Sequence, residues 1–152
     1  MIVSLSRNEV VGMTVERNRE LIRQFDEAVA TGDVKALDEL CTQDMVNHAL
    51  APDRPKGLKG TREFLRTGMP QFQADGWTDS VMVAEGDYVV QFGVRAGTWR
   101  GGSFLGFDVS PGPYSRNVAF CYRIQDGKIA ERWAMRDDLT MLRQLGAFTA
   151  QH

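Results

Sequence analysis

The hydrophobic period of this chain changes near Trp77, and this change limits its fold more than any other feature. Upstream of it, apolar side chains recur every three or four residues, the spacing of helices that bury one face. Downstream, apolar and polar residues alternate, as is typical of strands with one buried face. Helices followed by mainly antiparallel strands predict an α+β fold, in which N-terminal helices cover a curved, cone-shaped sheet around a cavity.

The predicted elements are bounded by residues that favour their ends. Thr14 is a suitable N-cap for a first helix that ends at Gly32, and Asp126-Gly127 suits a tight hairpin turn. The other predicted elements are a short helix capped by Asp33, a strand at 45–50, a helix from Thr61, strands at 77–84, 88–99, 116–125 and 128–136, and a final helix after Asp137 or Asp138. We predict one domain over residues 14–152, preceded by an N-terminal arm of residues 1–13 that has no hydrophobic period.

The charge balance argues against two classes of partner. Eighteen basic and twenty acidic residues give a net charge of -2, and neither sign forms a long block that would follow a phosphate backbone or an anionic bilayer. We therefore expect neither nucleic acid nor a membrane as a partner. The opening residues lack the pattern of a secretory signal, and no apolar run approaches the roughly 20 residues that span a bilayer. We expect a cytoplasmic protein.

The sequence predicts neither a metal site nor a nucleotide cofactor. Cys41 and Cys121 are isolated from each other, and the histidines are His48 and the terminal His152, so no ligand set has metal-binding spacing. The glycine-containing segments fit neither the P-loop nor the dinucleotide pattern. We expect no metal, no cofactor and two free cysteines.

The stretch from Asp126 to Gly146 carries the pattern DGKI, E, W, three residues, D, then L and QLG. This pattern resembles the ending of the SnoaL-like polyketide cyclases in the nuclear transport factor 2-like superfamily. Other segments agree in order and rough spacing: Asn47-His48-Ala49, Gly57 with Gly60, Glu85-Gly86-Asp87, Gly97-Thr98-Trp99 and Ser103-Phe104-Leu105-Gly106. The resemblance covers most of residues 15–146. It implies the cone-shaped fold and an aldol-type ring closure of a polyketide ester without cofactor or metal.

Asp137 matches the aspartate that the resemblance implies as the catalytic acid and base. The strand pattern supports this role independently, because Trp133, Met135 and Asp137 share parity and would form an inward-facing row that ends in a carboxylate. Burial at that point raises a carboxyl pKa toward the range useful for taking a proton from carbon next to a carbonyl. The alternative is that Asp137 only caps the final helix.

Arg123 is the candidate for holding the negative charge of an enolate intermediate, since such stabilisation is often the largest catalytic contribution. It lies on the strand predicted to pair with residues 128–136. Its alternation partners Ala119 and Cys121 are small and apolar, as pocket residues often are. The alternative is an arginine that faces solvent or a second subunit.

Four further residues complete the predicted binding site. Asn47 matches a pocket position of the family, and its neighbour His48 must point to the opposite face of the same strand. Trp77 and Trp99 would give flat walls for a ligand, although aromatic residues in a small domain are usually core. Trp99 stands where the family's pattern has a histidine, which favours an apolar ligand.

These features predict a cofactor-independent cyclase, or a related lyase or isomerase, that acts on a hydrophobic carbonyl compound. Hydration of the epoxide hydrolase type is an alternative, but it needs an Asp-Arg-Asp set, and the strand at 88–99 offers Gln91 and Arg95 without a second acid. A protein that binds a hydrophobic small molecule without turnover is a further alternative. We expect a homodimer that covers the outer sheet face through Tyr88, Val89 and Tyr122.

Overall fold

The computed structural model describes residues 2–148. Within them the elements are α1 (Arg7–Thr31), α2 (Leu37–Leu40), β1 (Cys41–Asn47), α3 (Leu58–Glu63), β2 (Phe72–Glu85), β3 (Tyr88–Trp99), β4 (Gly112–Gln125), β5 (Lys128–Arg136) and α4 (Asp138–Gln144). α3 continues through a π-helical turn and a 3-10 turn into β2. The predicted α+β class is confirmed. Met1 of the predicted arm and residues 149–152 of the predicted domain lie outside the described residues.

The strands form one sheet in the order β1-β5-β4-β3-β2. β1 runs parallel to β5, and the other neighbouring pairs are antiparallel, so the mainly antiparallel sheet is confirmed. The pairing of β2 with β3 shifts register twice, between Gln73 and Gly76 and between Trp77 and Asp79. Irregularities of this kind bend a strand and increase its twist, so this edge of the sheet curves.

The predicted hairpin between β4 and β5 is also confirmed. Gln125 pairs with Lys128, and the two residues between them have positive φ angles of 52° at Asp126 and 73° at Gly127. A two-residue turn of this kind requires positive φ at both positions, which explains the Asp-Gly sequence.

The first helix begins at Arg7, so the predicted start at Thr14 is wrong. Ser6 is the N-cap: its hydroxyl accepts a hydrogen bond from the Glu9 amide (3.2 Å), and the Glu9 carboxylate accepts one from the Ser6 amide (2.6 Å). Residues 2–14 are exposed to solvent, so the first turns of α1 lack the buried stripe on which the sequence prediction depended. Two other starts also shift, since β1 begins at Cys41 and α3 at Leu58.

Alternation along β4 decides which side chains face the helices. Even-numbered residues from Tyr114 to Ile124 are buried, and the strand register extends this inner face to the odd-numbered residues of β3 and the even-numbered residues of β5. At one end of the inner face, α1 packs its buried stripe against Val89 and Tyr122. At the other end, α4 packs against Trp99 and Tyr114. The middle of the inner face, between these two apolar clusters, carries charged side chains.

Candidate active site

Four arginines project from the inner face of β3, β4 and β5. Arg95 and Arg116 are direct partners across β3 and β4, while Arg132 and Arg136 lie four residues apart on β5, opposite Tyr122 and Val118. Arg116 is buried, and the other three are partly buried. The sequence led us to expect an apolar lining between α1 and the sheet, and the structure instead shows guanidinium groups there.

Phe120 lies at the centre of this arginine group. The guanidinium carbon of Arg132 is 4.1 Å from the centroid of its ring, that of Arg136 is 5.7 Å away, and that of Arg95 is 5.9 Å away. A cation over an aromatic face is attracted by the negative charge of the π-system, so the ring partly compensates three partly buried cations. Trp77 meets the Phe120 ring edge-on at 5.7 Å and extends the aromatic wall toward β2.

Asp26 brings a carboxylate from α1 to the same group. It follows Ile22 by four residues and therefore lies on the buried side of the helix. With the Gln91 amide oriented to satisfy both of its neighbours, that side chain donates to Asp26 Oδ2 (3.0 Å) and accepts from the indole nitrogen of Trp77 (3.1 Å). Burial raises the pKa of Asp26, and the positive charges of Arg95 and Arg132 oppose this shift in part.

Two other carboxylates pair with two of the arginines. Asp75 accepts hydrogen bonds from Arg95, whose Nε is 2.7 Å away, and from the hydroxyl of Tyr114. Burial and the neighbouring Asp75 carboxylate raise the pKa of Tyr114, so this phenol remains a hydrogen-bond donor. A Cβ at Gly97 would lie 2.6 Å from the Tyr114 hydroxyl, so glycine at this position leaves room for the hydrogen bond between Tyr114 and Asp75. Asp138, the first residue of α4, accepts from Arg116.

Arg132 and Arg136 have neutral partners among the described residues. Arg132 donates from Nε to the Tyr122 hydroxyl (3.4 Å), and Arg136 donates to the backbone carbonyl of Ala49 (3.2 Å). Burial, together with the charges of Arg132 and Arg116, lowers the pKa of Arg136 to about 10. Neither guanidinium group hydrogen-bonds a carboxylate among the described residues, and a pKa of about 10 keeps Arg136 charged at neutral pH.

Asp137, the predicted base, caps α4. Its carboxylate accepts hydrogen bonds from the Thr140 amide (3.1 Å) and the Thr140 hydroxyl (2.6 Å). These bonds lower the pKa of Asp137, which is opposite to the shift expected for a buried base. The contacts agree with the helix-capping alternative, and the catalytic role of Asp137 stays a prediction. Asp138, expected to be the cap, instead reaches Arg116.

Several predicted site residues meet on the outer face of the sheet. Arg123 donates to Glu131 (2.9 Å), Glu131 also contacts His48 Nε2 (2.9 Å), and the His48 ring stacks on Trp133 at 5.1 Å. Cys121 pairs with Trp133 across β4 and β5 on this face. The side chain of Met135 is 74% exposed, so the predicted inward row of Trp133 and Met135 is wrong. Arg132, Ala134 and Arg136 face inward instead, because they pair with the inward-facing Tyr122, Phe120 and Val118 of β4.

The remaining predicted residues lie inside the fold in different places. Asn47 is buried and donates to the Thr61 hydroxyl (3.1 Å), and it accepts from the Ala49 amide (3.2 Å), so it joins β1 to α3. Trp77 lies in the arginine group, whereas Trp99 packs in the α4 cluster and donates to the Gly102 carbonyl (3.1 Å). Of the predicted binding residues, Trp77 is the one that the structure brings beside Asp26 and Arg95.

Two further observations concern cofactors and membranes. Within residues 2–148, no three His, Cys, Asp or Glu side chains are grouped so that they could hold a metal ion. The helices in that part of the chain are too short or too polar to cross a bilayer. Cys41 is buried, Cys121 is partly buried, and both are free thiols.

Comparison with known proteins identifies the family. The sequence profile of the SnoaL-like polyketide cyclases matches residues 19–145, and the chain belongs to this family. A search of curated proteins gave no match. Membership of the family supports a cyclase- or isomerase-type role.

Solved structures agree with this assignment. The structure of TsrD from Streptomyces laurentii matches with a TM-score of 0.75 and 26% identity, over 95% of this chain and 100% of that one. IdmH from Streptomyces antibioticus matches with a TM-score of 0.69 and 28% identity, over 85% and 98%. A SnoaL-like polyketide cyclase from Agrobacterium tumefaciens, 16% identical, has the same fold with a TM-score of 0.72 over 85% and 98%.

Proposed function

We propose that this chain catalyses the cyclisation, or a related isomerase or lyase reaction, of a small carbonyl compound, with Asp26 as the acid and base. The observation that carries this proposal is the position of Asp26. Its carboxylate is partly buried, has a raised pKa, accepts a hydrogen bond from Gln91 and lies within the field of Arg95 and Arg132. A general base needs such a raised pKa to take a proton at neutral pH.

The chemistry follows from these groups. Asp26 takes a proton from the carbon next to a carbonyl, and the electron pair of the C–H bond moves onto the carbonyl oxygen to form an enolate. Arg132 and Arg95 stabilise that negative charge, since cations already in place cost little reorganisation during the reaction. Attack of the enolate carbon on a second carbonyl closes the ring, and Asp26 returns its proton to the new alkoxide. The cycle needs no co-reactant.

The aromatic side chains around the arginines suit a hydrophobic body on this substrate. Trp77 is partly exposed on the inner face, where it packs edge-on against the buried ring of Phe120. Flat rings stack favourably on such surfaces. We therefore retain a hydrophobic carbonyl compound, with no cofactor or metal, as the substrate class.

A pair of isosteric variants distinguishes Asp26 from Asp137. Asp26→Asn should slow turnover of aromatic keto-esters, followed by chromatography and mass spectrometry, by about 10²–10⁴-fold. Asp137→Asn is the matched control and should stay within about threefold of wild type. A wild-type rate in Asp26→Asn refutes the proposal, and loss of activity in Asp137→Asn alone assigns the base to Asp137.

Hydration of an epoxide is a second candidate because Arg95 lies between two carboxylates. It donates a hydrogen bond to Asp75 of β2, and its charge acts on Asp26 of α1. These two residues are the acids of an Asp-Arg-Asp set in which β3 supplies only the arginine. Incubation with aromatic epoxides in ¹⁸O-labelled water tests this reaction, since hydration places the label in a diol. Turnover of neither keto-esters nor epoxides would favour a binding protein.

We also propose that the outer face of the sheet pairs with a second copy of the chain. Tyr88, predicted at this interface, is 48% exposed there, whereas Val89 and Tyr122 are buried on the inner face, so their assignment to the interface is wrong. Exposed apolar side chains on the outer face are Val81, Val83, Phe92 and Met135. Sedimentation equilibrium should give a dimer that Phe92→Glu dissociates; Phe107→Glu, at an exposed phenylalanine outside the sheet, is the control. A wild-type monomer at micromolar concentration contradicts the proposal.

A further inference from the structure

We infer that the substrate carries an anionic group, a carboxylate or a phosphate, that binds between Arg132 and Arg136. This inference rests on the proposed function only in placing the ligand on the same inner face as Asp26. It adds to the hydrophobic carbonyl compound a second feature, a charged substituent at a distance from the reacting carbon.

The arginines on the inner face outnumber the carboxylates that pair with them. Among the described residues, Asp75 pairs with Arg95 and Asp138 pairs with Arg116. Asp26 lies in the field of Arg132, but its hydrogen bond comes from Gln91. Arg136 is left without a carboxylate partner, so the inner face has at least one unpaired cation.

Burying the Arg136 guanidinium lowers the stability of the fold. A guanidinium has five N–H donors, and a buried charge destabilises a fold unless it is paired and hydrogen-bonded. Arg136 donates one hydrogen bond to the Ala49 carbonyl among the described residues. Burial lowers the pKa of Arg136, repulsion from Arg132 and Arg116 lowers it further, and the carboxylates of Asp138 and Asp75 oppose this shift in part. An anion bound here would remove this repulsion.

Arg132 and Arg136 are placed so that one anion can contact both. Ala134 lies between Arg132 and Arg136 on the same face of β5 and pairs with Phe120. Its small side chain separates the two long arginines, and both guanidinium groups turn toward the Phe120 ring. Planar guanidinium groups can each give two parallel hydrogen bonds to a carboxylate or phosphate, which a lysine cannot do. A ligand anion held here would lie on the same inner face as Asp26 and Trp77.

Equilibrium binding tests the inference without requiring turnover. The probes are 2-naphthoate, 2-naphthyl phosphate and the neutral methyl 2-naphthoate, which share one apolar body, and binding is measured by calorimetry or by NMR titration. We expect the preferred anion to bind at least tenfold more tightly than the methyl ester. The two anions distinguish a carboxylate site from a phosphate site.

Variants locate the preference. Arg136→Gln should abolish the difference between anion and ester, and Arg136→Lys should retain part of it because the charge remains. Arg132→Gln provides a second test if Arg136→Gln does not fold, as circular dichroism will show. Arg123→Gln, on the outer face, is the matched control and should bind both probes as wild type does.

Three results overturn the inference: equal affinity for ester and anions, no detectable binding of either anion at millimolar concentration, or an equal loss in Arg123→Gln and Arg136→Gln. Failure of the proposed function gives a different result. In that case Asp26→Asn leaves turnover unchanged, or no turnover exists, while the anion preference persists. Asp26→Asn should bind the anions at least as tightly as wild type, because it removes a nearby negative charge.

Discussion

Replacing Phe120 with leucine should destabilise the fold and weaken the arginine group together. Leucine keeps an apolar side chain of similar size but has no aromatic face. The contact of Arg132 at 4.1 Å is partly desolvated and contributes about 1–2 kcal/mol, while Arg95 and Arg136, near 6 Å, contribute about 0.5 kcal/mol each. The edge-on contact with Trp77 adds about 0.5–1 kcal/mol. The total is about 2.5–4 kcal/mol, a large share of the roughly 5–15 kcal/mol by which domains are stable.

Urea denaturation of wild type and Phe120→Leu measures this loss. Phe107→Leu is the matched control, since Phe107 lies outside the sheet and is 43% exposed. We expect a change below about 0.5 kcal/mol there. A loss below about 1 kcal/mol in Phe120→Leu would refute the view that the ring compensates the three cations.

Three further predictions concern Asp26, Asp137 and the cysteines. Burial raises the pKa of Asp26 above its usual 3.8, so the folded state binds this proton more tightly than the unfolded state; the stability of Asp26→Asn minus that of wild type should therefore increase as the pH rises from about 4 to 7, and a difference between the urea midpoints that stays constant or decreases over this range would contradict it. Asp137→Ala should lower the free energy of unfolding by removing the cap that accepts the Thr140 amide, and Asp137→Ser should recover most of the loss; equal losses in both variants would exclude a capping role. Burial raises the pKa of Cys41 to about 12, so a thiol reagent at pH 8 should modify the more exposed Cys121 first, as peptide mapping by mass spectrometry will show; faster modification of Cys41 would be inconsistent with its burial.

Local patterns were enough to predict the order of the elements and the strongest turn. The Asp126-Gly127 pair predicted the hairpin correctly because a two-residue turn depends on the φ angles of its own residues. The start of α1 was missed because the residues between Ser6 and Thr14 bury no face. The sequence nevertheless contains the capping box of Ser6 and Glu9, which predicts a helix that starts at Arg7.

The candidate site was harder to predict because alternation separates the two faces of a strand without showing which one is inside. On β5, Trp133 and Met135 are the apolar set, and the sequence analysis placed them inward. The structure turns Arg132 and Arg136 inward because their stems and guanidinium groups pack on Phe120 of the neighbouring strand. That contact depends on the register between β4 and β5, which the pattern of one strand does not contain.

Asp26 was within reach of sequence reasoning. It occupies the same helical face as Ile22 and Val29, at spacings of four and three residues. A carboxylate in an otherwise apolar stripe of a predicted helix is unusual, since buried acids are rare unless they have a partner. Its partner Gln91 lies 65 positions later, on β3, and this long-range contact is the part that the sequence does not show.

Two ionisable groups of the inner face, Asp26 and Arg136, lower the free energy of unfolding when they are charged. Burial disfavours the charged form of Asp26 and of Arg136, so the folded chain holds each of these ions at a cost. Apolar side chains of similar volume in such places are often more stabilising than ions. The cost of burying these two charges agrees with the two proposals made above, in which Asp26 takes up and releases a proton and Arg136 holds an anion.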